Sequence, residues 1–194
     1  MAAVLPAIRQ DLAAWEARRK KVRGDLAIEI PPEYLEIKEY AGEVVRFEPL
    51  TADIRRIVIR IPPPETISFK PGQYVQVKLP GGSEYRAYSM ASTPDRTDAI
   101  ELNVKLIPDG LGSTYLHGLA VGDPVSFSGP YGEFFLRQDS ARTIVCVAGG
   151  VGLAPLKSIV SFWASRGMDR PLELYYGSRS IADSGNMRSA PPSP

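Results

Sequence analysis

The chain has one cysteine and one histidine among its 194 residues. A single thiol excludes an intramolecular disulfide, and Cys146 cannot by itself hold an iron–sulfur cluster or a structural zinc. No metal site is expected, and a reducing compartment is the default. Net charge is nearly absent as well, because 23 basic and 22 acidic residues leave +1. No global field therefore draws in nucleic acid or an anionic membrane, and a charged partner must be met by a local patch. Nor is there an apolar run near the roughly 18–20 residues that cross a bilayer, or a basic leader over Met1 to Arg9. No direct membrane span is expected, and the cytoplasm is the simplest location.

Present instead are many short segments separated by glycine and proline, of which there are 17 and 18. Ala7 to Val22 carries Ile8, Leu12, Trp15, Arg19 and Val22 at helical spacing, and reads as a helix with a narrow apolar stripe. Its basic end, Arg18 to Lys21 with Arg23, has no interleaved aromatics and reads as a solvated helix end rather than a nucleic-acid patch. Pro31 and Pro32 make a linker. Strands with a period of two follow: Ile57, Ile59 and Ile61 up to Pro62–Pro64, then Val75, Val77 and Leu79 after a Pro71–Gly72 turn. Further strands are expected over Glu84 to Met90, Ile100 to Leu106 and Pro124 to Ser128, with a closing turn over Gly129 to Phe134. This grammar points to a small antiparallel barrel or sandwich, with the barrel favoured. At Thr143 it changes. The buried run Ile144 to Val147, a glycine cluster, a helix over Leu153 to Arg166 and a strand over Leu172 to Tyr176 make one strand-helix-strand unit. Leu156, Ile159, Val160 and Trp163 are its expected buried helix face. The tail after Ser180 is rich in Ser, Pro and Ala, and reads as disordered.

Four segments carry chemistry. Arg86, Tyr88 and Ser89 offer a cation, a flat ring and a hydroxyl, which a flavin nucleotide would use. Alone, an outward Arg and a barrel Tyr explain that strand as well. Strict alternation also puts Ser89 on the other face from Arg86 and Tyr88, so all three meet one ligand only if the strand ends or bends there. Gly110-Leu-Gly112-Ser113-Thr114 opens a short helix, where capping and phosphate binding compete as explanations. Gly129-Pro-Tyr-Gly132 opens the closing turn, for which packing is the plainer explanation. Gly149-Gly150-Val-Gly152 joins a buried strand to a helix, which suits a phosphate or simply a tight turn.

In this order the four motifs resemble the ferredoxin–NADP reductase superfamily from about Glu39 to Ser180. The wording RAYSMAS, GPYGEFF and GGVGLAP is similar to the flavoprotein component of sodium-translocating NADH:quinone reductases and to oxygenase reductases. The resemblance implies an antiparallel Greek-key β-barrel that binds FAD over 39–140, and an incomplete nicotinamide-binding α/β unit over 141–180. A helix and linker (1–38) precede them and a tail (181–194) follows. It implies Arg86 on the FAD pyrophosphate, Tyr88 against the flavin or its ribityl chain, and Ser89 near flavin N5 as the residue closest to catalysis. Asn103, Lys105, Gly110, Gly112, Ser113 and Thr114 would add cofactor contacts, the last three around the phosphates. Gly149, Gly150, Gly152 and Pro155 would border the nicotinamide nucleotide, with Gly177, Ser178 and Arg179 toward its adenosine side. The implied reaction takes electrons from NADH, or NADPH, through FAD to an iron–sulfur, quinone or haem partner. FMN is the alternative flavin. His117 reads as a packing or surface residue. The ferredoxin domain and membrane anchor that would precede the barrel in the nearer relatives, and the strand-helix units that would continue the nicotinamide domain after Ser180, are not read in this sequence, so the expectation includes a truncated or frame-shifted product. Its competing reading is an inactive flavin-binding or interaction module.

Overall fold

In the computed structural model, residues 36–138 and 140–179 are described, and the expected helix over 7–22 and the tail over 181–194 lie outside them. The alternating segments become strands β1 (Lys38–Pro49), β2 (Ile54–Arg60), β3 (Tyr74–Lys78), β4 (Tyr85–Ser89), β5 (Ala99–Lys105) and β6 (Pro124–Tyr131). They form one antiparallel sheet in the order β4-β3-β6-β1-β2-β5. Its two edge strands meet just beyond β4, where Met90 bridges Leu102 and the Ala91 amide donates to the Glu101 carbonyl at 2.8 Å. The sheet thus curls into the Greek-key barrel, joined along this seam over a few residues.

The inward rows are those the alternation names: Ile57, Ile59 and Ile61, Val75 and Val77, and Ile100, Leu102 and Val104 are all buried. Removing each of these side chains from water stabilises the barrel by roughly 1.5–3 kcal/mol before entropy is counted. The expected end of the last barrel strand is corrected, because β6 runs on through Gly129 and Pro130 to Tyr131. Proline lacks the amide that a regular ladder needs. Opposite it the β3 register shifts between Tyr74 and Gln76, and this irregularity accommodates Pro130 while Tyr131 still pairs with and stacks on Tyr74.

A short helix, α1 (Leu111–His117), follows β5, and His117 Nε2 donates to the Val104 carbonyl at 2.9 Å, a packing role. After the barrel, β7 (Ile144–Gly149), a 3-10 turn (Gly150–Gly152), α2 (Leu153–Ser165) and β8 (Leu172–Gly177) make the strand-helix-strand unit, with β7 and β8 parallel. One face of this pair packs Ile144 and Cys146 against Leu153, Leu156, Ile159 and Phe162 of α2. The buried arc of α2 therefore differs from expectation. Phe162 is inside, while Val160 and Trp163 are half-buried. The helix is gripped on two sides, by the strands and by the barrel, so its buried arc is wider than a single apolar stripe. Barrel and unit also meet at the Pro71–Gly72 turn, where Leu136 N–H donates to the Pro71 carbonyl at 3.4 Å. Gly72 has a φ of +108°, and a Cβ there would lie 2.4 Å from the Phe134 carbonyl oxygen.

Candidate functional site

Arg86 and Tyr88 pair across the ladder with Val77 and Val75, so they stand on the inward row of β4. Val75 and Val77 are fully buried, but β4 lies at the barrel's lip and Arg86 keeps a side-chain exposure of 43%. Its guanidinium is held by the Glu84 carboxylate at 2.7 Å and the Tyr85 carbonyl at 2.9 Å. Tyr88 packs its ring on the barrel core. Burial pushes its phenol above the ordinary range, and the Arg86 cation partly offsets this. β4 ends at Ser89, the condition under which Ser89 and the inward row can serve one ligand.

The start of α1 lies directly against this pair. A Cβ at Gly112 would fall 2.7 Å from both Arg86 Cγ and Tyr88 Oη, so only glycine lets the helix come this close. The first helical bond runs from Thr114 N–H to Gly110 O, which leaves the preceding amides of the first turn without an intrahelical acceptor. Ser113 is turned away. Its hydroxyl accepts from Ile107 N–H at 3.1 Å and donates to the Gly110 carbonyl at 3.1 Å, tying down the loop from β5. Thr114 is exposed.

The glycine cluster forms a second locus. Lys105, Gly149, Gly150, Gly177, Ser178 and Arg179 line one cavity of about 540 Å³, together with Asp53, Ile54, Val151 and Tyr176. Asp53 faces Lys105 at 3.4 Å and Arg179 at 3.5 Å. Its carboxyl is held below the ordinary range, first by the Thr51 hydroxyl and then by Lys105. Tyr176 donates to the Gly150 carbonyl at 3.4 Å. Gly152 and Pro155 stand at the head of α2 beside this cavity, outside its lining. Asn103 is buried on β5 opposite Arg56 and is not among the residues lining that cavity.

The sequence reading missed Asp53 and Tyr176. Asp53 carries only the weak signal of a Thr-x-Asp turn, with Thr51 capping the Ile54 amide at 3.0 Å. Also missed is a buried ion network joining barrel to helix. Lys157 Nζ lies 2.5 Å from Glu101, Arg56 Nε lies 3.3 Å from the same carboxylate, and both cationic side chains are 10% exposed. Among the described residues, no group of three or more His, Cys, Asp and Glu side chains is arranged to hold a metal ion, and no helix is long and apolar enough to cross a membrane.

Comparison with known proteins bears on this geometry. The family model described as oxidoreductase FAD-binding domain matches residues 41–136. The chain is 39% identical over 148 residues to the reductase component of propane 2-monooxygenase from Mycolicibacterium goodii, covering 76% of this chain and 42% of that protein. It is 32% identical to a component of the Na(+)-translocating NADH-quinone reductase from Psychrobacter cryohalolentis, covering 84% and 49%. The crystal structure of the Amycolatopsis cytochrome P450 reductase GcoB superposes with a TM-score of 0.69 at 34% identity, covering 76% of this chain and 45% of that one. The chain therefore spans a little under half the length of these relatives.

Proposed function

We propose, from the match of residues 41–136 to the oxidoreductase FAD-binding domain family, that the chain is an electron-transfer module passing electrons from NADH through FAD to a protein or quinone acceptor. The observation that carries the reading is the close approach of Gly112 to Arg86 and Tyr88. It sets a cation, an aromatic ring and the free amides of a helix start side by side, which fits a dinucleotide with a diphosphate and a flat ring.

On this reading the Arg86 guanidinium exchanges Glu84 for the diphosphate, and the α1 amides at Gly112 and Ser113 share that charge. Ser113 contributes its backbone, since its hydroxyl is engaged in the loop. Tyr88, neutral and fixed by the core, presents a flat surface for the flavin or its ribityl chain, with Ser89 at the strand end beside the reacting edge. The cavity lined by Lys105, Gly149, Gly150, Gly177 and Arg179 receives the nicotinamide nucleotide, its two cations offering charge to phosphate. Bound FAD supplies the conversion of a two-electron hydride into single electrons. The residues' part is to orient the two rings and keep water from between them. No side-chain acid or base is required.

Purified protein titrated with FAD should acquire the visible absorbance of bound flavin, and anaerobic NADH should bleach it. Protein that never takes up FAD refutes the proposal. Protein whose flavin is reduced by light but not by NADH reduces it to a flavin-binding module.

A further inference from the structure

The barrel is weakest where β4 meets β5. On its other side β4 pairs with β3 over the whole length from Tyr85 to Ser89, whereas on the β5 side the Met90–Leu102 bridge is joined by the Ala91 amide on Glu101 and the Glu101 amide on Ser92 Oγ. Two consecutive residues of α2 reach this place. Ser158 Oγ donates to the Ser92 carbonyl at 2.6 Å, on the β4 side, and Lys157 Nζ meets Glu101 at 2.5 Å, on the β5 side. We propose that Lys157 and Ser158 are positioning residues, a clasp that bonds both lips of the seam and thereby holds the end of β4, with Tyr88 and Ser89, in the geometry the cofactor requires. The inference rests on the flavin reading above.

Burial argues that the contact is more than a surface tie. Ser158 is 0% exposed and the Lys157 side chain 10%. Polar groups so enclosed are costly unless bonded, and an apolar pair would anchor the helix without that cost. The other bonds from α2 to this loop, Ser165 and Arg166 on Asp95, are exposed and contribute little. The helix that carries the clasp starts directly after the glycine turn, so it ties the cavity's floor to the flavin strand's end. Removing Lys157 leaves Glu101 still paired with Arg56, so the variant is expected to fold.

The test compares wild type with Lys157→Met, Ser158→Ala and Lys157→Arg. Two readouts are taken below the melting range: amide hydrogen exchange without FAD, and FAD titration followed by fluorescence quenching and visible circular dichroism. Loss of either clasp bond should speed exchange at Ala91 and Glu101 about tenfold while the β1–β2 ladder is unchanged. It should also weaken FAD about threefold to tenfold and alter the flavin's dichroism, with Lys157→Arg restoring most of the change. Unchanged seam exchange overturns the clasp. So does FAD binding identical to wild type in variants whose only defect is a lower Tm, which is the signature of a plain helix anchor. If wild type itself takes up no FAD, the cofactor's role in both readings falls, and seam exchange alone then decides whether α2 closes the barrel.

Discussion

Gly112→Ala isolates the cradle on which the functional reading stands. The new Cβ would meet Arg86 Cγ and Tyr88 Oη at 2.7 Å and Arg86 Cβ at 3.1 Å. Arg86 Cγ is near the backbone and the tyrosine ring is stiff, so neither yields as a flexible chain end would. Inserting one methyl into packed surroundings costs about 1–3 kcal/mol. In the free protein part of this is relieved, because the exposed Arg86 side chain can swing outward, and alanine in a helix gains up to about 1 kcal/mol over glycine. Free-state stability should therefore change little. The bound state has no such freedom, since the guanidinium must return beside the ring and the α1 amides. The penalty then appears in binding, and the dissociation constant for FAD should rise about tenfold to a hundredfold, or about 1.4–2.8 kcal/mol. Fluorescence quenching of FAD measures the constant and a urea melt of the free protein controls for stability. An affinity within about twofold of wild type would refute the placement of the cofactor at Gly112.

Glu84→Ala frees Arg86 from its carboxylate partner. This exposed pair is worth at most about 1 kcal/mol, so FAD should bind up to about fivefold more tightly at low salt, and weaker binding would count against Arg86 as the diphosphate ligand. Gly152→Ala places its Cβ in open space. Urea stability and FAD uptake should match wild type while anaerobic bleaching by NADH slows, and unchanged bleaching would remove Gly152 from the nucleotide's path. Burial pushes the Cys146 thiol above its ordinary 9.0, and the residue is 4% exposed. Iodoacetamide at neutral pH should therefore label it only as the β7–α2–β8 unit opens, in step with urea unfolding followed by circular dichroism. The Asp53 carboxyl is lowered from its ordinary 3.8 by Thr51 and Lys105. A lowered folded value means that its stabilisation is fully present above the unfolded value and is lost as pH falls through the folded one. The gap in urea midpoint between wild type and Asp53→Asn should accordingly be constant near neutrality and close below pH 3.8.

The barrel's inward rows were legible because a period of two survives in Ile57-Ile59-Ile61 and Val75-Val77, and burial on one face enforces it. The extent of β6 was not, since Gly129 and Pro130 read as a turn unless the bulged partner strand is known. Similarly, α2 was legible as a helix, but the position of its buried arc was not, because the barrel contributes a second contact surface that no local pattern records. Arg86 and Tyr88 were named from the order of motifs rather than from their own chemistry. Their common face followed from alternation, yet their meeting with Gly112, on a separate element beyond β5, is a tertiary fact. Asp53 and Lys157 lay beyond reach for the same reason: each draws its partner from a strand or helix remote in sequence.

These long-range contacts share one arrangement. Within the barrel, the interior strands are fixed by ladders on both sides and a continuous apolar core, and they carry none of the groups proposed to touch the cofactor's diphosphate or ring. The side chains among those groups stand on β4, one of the two edge strands and so laddered along its length on one side only. A strand buried on both edges could not turn Arg86 outward at its lip or let α1 approach so closely, whereas a free edge would leave Ser89 unplaced. Closing the seam from outside, through Lys157 and Ser158, reconciles these demands. It leaves the β4 lip open to a ligand while the same helix, at its head, sets the glycine turn of the neighbouring cavity.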